Sequence, residues 1–127
     1  MDWPTAAVSI AAIIAVQTGI VKLCHRQRLQ LHKSKQFSSQ EIAYAGKVFD
    51  NLLDGCRAII GQLLTLTTDS GLQMKDDERI KNIDGLYDDM QKRYQFIRHF
   101  GNENNVLAMQ RMMDQNDVRV LKEVFGQ

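Results

Sequence analysis

Hydrophobic and polar positions divide the chain into stretches of different character. From Trp3 to Val21, nineteen residues pass without one Asp, Glu, Lys or Arg. Extended to Leu23, a helix of that stretch measures about 31 Å, close to the hydrocarbon thickness of a bilayer. Pro4 suits a first helical turn, where its missing N–H has no partner to lose. Trp3 suits headgroup depth, and Lys22 can snorkel from the far end. The pattern predicts a transmembrane signal anchor over residues 1–23, followed by a basic juxtamembrane segment over 24–36.

A second pattern begins at Ser38. Ser38 with Glu41 three residues on matches a capping box ahead of an apolar run. Ile42, Ala45, Phe49, Leu52, Cys56, Ile59, Leu63 and Leu66 then alternate steps of three and four, a seam widened by Val48, Leu53 and Ile60. A seam this wide belongs to a helix in a bundle rather than to a two-stranded coiled coil. Thr67-Thr68-Asp69-Ser70-Gly71 is turn chemistry and places the helix end near Thr68.

The next helix opens on Asp76-Asp77-Glu78, acids matched to the positive end of the helix dipole. Its seam is Ile80, Ile83, Tyr87, Met90, Tyr94 and Ile97, broadened by Leu86 and Phe100, and Gly101 is expected to close it. A short polar loop makes the two helices antiparallel. Val106, Leu107, Met109, Met112 and Met113 predict a third, shorter helix, and Asn116-Asp117 a cap for a last piece carrying Val118, Leu121, Val124 and Phe125. The expected fold is therefore all-α: one N-terminal transmembrane helix, then an antiparallel helical hairpin with a shorter C-terminal helix. Residues 37–127 form a cytosolic three-helix bundle. Its core is completed either by the Met-rich helix lying across the seam or by pairing between copies.

Charge sharpens this picture. The 127 residues carry 16 Lys/Arg and 15 Asp/Glu, a near balance that hides an asymmetry. Residues 1–36 hold five bases against one acid, and residues 37–127 hold 11 bases against 14 acids. All five early bases, Lys22, Arg26, Arg28, Lys33 and Lys35, follow the uncharged stretch and are expected to meet lipid headgroups. The positive-inside rule then puts the N-terminus outside and the C-terminal domain in the cytoplasm, at the inner or plasma membrane. Ala7, Ala11, Ala15 and Gly19 recur every four residues, a small-residue stripe of the kind that packs spans together in lipid.

Chemistry is absent from the pattern. His25 and His32 lie in the basic segment with no carboxylate or Cys at ligand spacing. Asp50 and Asp54, and Asp84 and Asp88, sit beside the seams among Arg57, Lys81, Lys92 and Arg93, as a solvated charged face does. Cys24, where the span ends, and Cys56, in the seam, are expected to be free thiols in a reducing cytoplasm, the former in a position open to palmitoylation. No phosphate loop, catalytic triad or nucleic-acid motif occurs. The expectation is no enzyme, no cofactor, no metal, no nucleic acid and no small-molecule substrate.

What remains is a membrane-anchored helical interaction protein, an adaptor or regulator. It would act through helix pairing with other subunits, as a homo- or hetero-oligomer, with Met109, Met112 and Met113 as partner-binding candidates. In layout alone, an outside N-terminus, one span, a basic collar and cytosolic helices, the first half of the chain resembles the phage shock protein B family of small bacterial envelope regulators. Two alternatives keep the same helices. One is a structural subunit of a larger membrane complex or membrane-containing particle; the other is a soluble four-helix bundle with residues 4–30 as its central helix.

Overall fold

The computed structural model describes the backbone of residues 3–68 and 75–125, with side chains from Val8 onward. Three helices and no strand occur among these residues: α1 (Trp3–Ser34), α2 (Ser39–Thr68) and α3 (Asp76–Phe125). The chain is all-α, as its patterning requires, and its first helix is the long apolar one.

The junction between α1 and α2 is built locally. Lys35 follows the last turn of α1 with φ 57°, the left-handed conformation that ends a helix. Three residues later, at Ser38, the capping box forms. The Glu41 N–H donates to Ser38 Oγ (3.1 Å), and the Ser38 N–H donates to Glu41 Oε1 (2.9 Å). From there α2 buries Ala45, Phe49, Leu52, Cys56, Ile59, Leu63 and Leu66, the anticipated seam except that Ile42 is only half-buried. α2 ends at Thr68, where the seam stops; the expected turn at Asp69-Ser70-Gly71 lies outside the described residues.

α3 departs from expectation. It begins at Asp76 as the acids imply, and buries Ile83, Leu86, Met90 and Ile97. It does not close at Gly101, and no separate helix starts at Val106 or after Asn116-Asp117. One helix of 50 residues runs to Phe125, about 75 Å long. Nothing in the segment compels a break: the chain's single Pro is Pro4, and no described glycine takes positive φ. Asn116 caps nothing; its Oδ1 accepts from Arg119 one turn on (2.9 Å).

The core also differs in membership. The apolar helix α1 does not stand apart but seats Ile13, Ile20, Cys24, Gln27 and Leu31 in the same core as α2 and α3. Ile13 and Ile20 are fully buried, each contributing about 1.5–3 kcal/mol. Gly19 lies against Tyr94, Gln27 over Gly101, and Gln36 beside Arg111, pairs 74 or 75 positions apart, so α1 and α3 run parallel in constant register. α2 runs antiparallel to both, pairing Phe49 with Phe100 (5.6 Å between ring centres, edge to face) and Asp50 with Arg28. Ala108 is the last buried residue, and from Met112 to Phe125 every residue is exposed. Gln115 still accepts from Gln36 Nε2 (3.4 Å), and beyond it the end of α3 projects past the bundle as an arm.

Candidate functional site

α1 has two unlike faces. The inner one is the seam just described. The outer one exposes Val8, Ala11, Ile14, Ala15, Thr18 and Val21, then turns basic with Lys22, Arg26 and Lys33; Lys35, just past the helix end, is exposed as well. Val8 is 69% and Ile14 48% exposed, although they belong to the most apolar stretch of the chain. An apolar stripe followed by a basic one presents oil and then charge in the order in which a bilayer presents tails and then headgroups.

The small-residue stripe divides between these faces. Ala11 and Ala15 are exposed, whereas Gly19 is half-buried; a Cβ on Gly19 would lie 3.5 Å from the Tyr94 ring. Steps of four residues overshoot a 3.6-residue turn by about 40° each, so the stripe winds round the helix and enters the bundle at Gly19. The Ala7 side chain lies outside the described ones. Of the five bases, Arg28 also turns inward. Its Nη2 donates to Asp50 Oδ1 (2.5 Å), and the guanidinium sits 5.1 Å from the centre of the Phe49 ring. That pair is substantially exposed and is worth at most about 1 kcal/mol, but it fixes α1 against α2.

The more informative contacts were not apparent in the pattern. Gln27 occupies a core position of α1, and its Nε2 donates to the Ile97 carbonyl (2.8 Å) while its amide covers the Cα of Gly101. Its Oε1 is buried with no partner among the described residues. Gly101 is thus a packing residue, left bare so that a side chain of α1 can lie on it. Arg93 lies over Gly55 of α2 in the same manner. Arg111 makes a two-pronged pair with Glu41 (2.9 Å at each oxygen), donates to the Gln36 carbonyl (2.8 Å) and covers the Phe37 ring. Hydrogen bonds from Arg111 and from the Ser38 N–H hold the Glu41 carboxyl down to about 2. Neither the seating of Gln27 on Gly101 nor the pairing of Glu41 with Arg111, 70 positions apart, carries a local signal in the sequence.

Met112 and Met113 stand on the projecting arm and Met109 just before it, each more than half exposed. They do not cover the α2–α3 seam, because α1 already does. Cys24 and Cys56 are free and buried, and burial raises the Cys56 thiol above its ordinary value. Cys24, at 1% exposure, is out of reach of an acylating enzyme in this arrangement. No group of three or more potential metal-ligating side chains occurs among the described residues. His99 pairs with Glu103 one turn away (2.9 Å), Asp50 with Arg28, and Asp54 with Arg57 (2.6 Å). No family model matches the chain, and no curated protein or solved structure matches it either.

Proposed function

We propose that the protein is a non-catalytic helical interaction protein, tethered to the cytoplasmic membrane by residues 3–23. In this reading its N-terminus is outside, and α2 and α3 are presented in the cytoplasm. The observation that carries the reading is the poor burial of the uncharged stretch of α1. α1 is long and apolar enough to cross a membrane, yet only 17% of the residues in its most apolar stretch are buried in the bundle. A core helix of a water-soluble bundle buries most of such a surface, whereas lipid accepts it on all sides.

The tether has a structural consequence. By the register of 74 to 75 positions, α1 residues 8–21 lie beside α3 residues of about 83–96, which include Asp84, Asp88, Asp89, Lys92 and Arg93. Five such side chains cannot accompany α1 through hydrocarbon at about 2.5–3.5 kcal/mol each. Insertion therefore parts the first half of α1 from α3, while the Gln27, Arg28 and Glu41–Arg111 contacts lie below the span and are retained. Tethering concentrates the cytosolic helices at one surface, and helix pairing supplies specificity.

The second reading keeps α1 on the bundle as a helix of a soluble protein; the seating of Ile13 and Ile20 on α2 and α3 favours it. Cell fractionation with an alkaline wash separates the two. The tether predicts that full-length protein stays in the membrane pellet until detergent is added. Release into the alkaline supernatant would leave the soluble bundle.

A further inference from the structure

The arm at the end of α3 carries an unpartnered face of defined character. Val106, Met109, Met113, Asp117, Val120 and Val124 follow each other at steps of three and four, so they line one side of the helix. The five apolar members are between 43% and 64% exposed. Asp117 lies within this stripe and Asp114 beside it, while Arg111 and Lys122 project from the opposite side, Arg111 into the bundle. The stripe is apolar and acidic.

A matching surface lies on the same chain. Between α2 and α3 a groove opens in two stretches of about 570 and 610 Å³, joined through Asp89 and lined by no residue of α1. Val48, Leu52 and Phe96 floor one stretch, and Leu66 and Leu86 the other. Lys81, Lys92 and Arg93 stand on its rim against the single acid Asp89. Gly85 leaves space in it, since a Cβ there would meet nothing within 4 Å. From Val48 to Leu66 the groove measures about 27 Å along α2, and the exposed stripe from Val106, beside the bundle, to Val124 on the arm measures the same. Length, apolarity and charge all correspond.

We infer that the arm of one chain docks in the α2–α3 groove of a second copy, closing a two-fold dimer. The chain's own arm cannot serve. Asp89 and Asp117 lie on one unbroken helix, which holds them about 42 Å apart. Laying two copies of α3 side by side and antiparallel places each arm at the other's groove at once, so the contact is reciprocal and self-limiting. Asp114 and Asp117 then approach Lys81, Lys92 and Arg93, and Met109 and Met113 supply adaptable side chains over the apolar floor. This deepens the helix pairing proposed above by naming the partner. It is tested by mass rather than by membrane extraction, so the two ideas fail separately.

Sedimentation equilibrium of the full chain in a mild detergent should give a protein mass of twice 14.5 kDa. Gly85→Phe fills the groove where the fold leaves space, and Met113→Glu with Val120→Glu spoils the arm at exposed positions. Each variant alone should keep its helical circular dichroism and dimerise about tenfold more weakly or worse. Mixed, they should restore a one-to-one pair, because one intact arm meets one intact groove. A monomeric parent chain would overturn the inference. So would a Gly85→Phe variant that still dimerises, which would signify arm-to-arm or span-to-span pairing.

Discussion

Replacing Gly101 with Ala tests how α1 is seated on α3. In an exposed helix interior the change is favourable by about 0.8–1 kcal/mol, because Ala loses less backbone freedom on folding. Gly61 of α2, where an added Cβ meets nothing within 4 Å, is the matched control and should show that gain. At Gly101 the Gln27 amide already occupies the position of the methyl group. The side chain must swing away and lose its hydrogen bond to the Ile97 carbonyl. A buried amide deprived of its partner costs about 1–3 kcal/mol. Gly101→Ala should therefore fall about 1–3 kcal/mol below Gly61→Ala in urea unfolding followed by circular dichroism, and end neutral or destabilised. In a Gln27→Ala background the obstacle is gone, and the same substitution should become stabilising, giving a coupling energy in a double-mutant cycle. If Gly101→Ala stabilises as much as Gly61→Ala in the parent chain, Gln27 does not lie on Gly101 and the register of α1 on α3 is wrong.

Other consequences are as concrete. The Glu41 carboxyl, drawn down from 4.5 to about 2 by Arg111 and the Ser38 N–H, contributes stability that is complete above 4.5 and is lost as pH falls from 4.5 through 2. Arg111→Ala should flatten the acid side of a plot of melting temperature against pH, and an unchanged acid limb would show that the pair contributes nothing. Ile59, buried in the α2 seam, should not tolerate Asp; an unpaired buried charge costs several kcal/mol, so loss of the cooperative thermal transition is expected. Ala11→Ile with Ala15→Ile changes exposed positions and should leave the melting of the bundle within about 0.5 kcal/mol of the parent. Should α1 pair with another span through that face, the same variant would shift the oligomer distribution in detergent.

The features legible in the sequence are those that repeat locally. The α2 seam from Ala45 to Leu66 follows from spacing alone, and the Ser38–Glu41 capping box from two residues three apart. The acidic start of α3 is of the same kind. What the pattern did not reveal depends on partners distant in the chain. Gly101 is a good helix terminator by local chemistry, and its actual use, as a seat for Gln27, is decided 74 positions away. The apolar run of α1 concealed the seam that starts at Ile13 and Ile20, because a stretch apolar on every side shows no moment from which a seam can be read, and the seam continues through Cys24, Gln27 and Leu31 among the bases. The stripe of Ala11, Ala15 and Gly19 has a strict period of four, which a helix of 3.6 residues per turn does not keep on one face. Met109, Met112 and Met113 were identifiable as candidates, but their exposure follows from α1 having taken the place they were expected to fill.

Trp3 offers the most direct measurement of the tether, since it is the chain's only tryptophan. Full-length protein reconstituted with vesicles should show Trp3 emission quenched by lipids brominated along their acyl chains, and the signal should persist in high salt, because the span and not the basic segment holds it there. Emission unaffected by brominated lipid, from a protein that remains in solution beside the vesicles, would contradict the account and leave α1 as a helix of a soluble bundle.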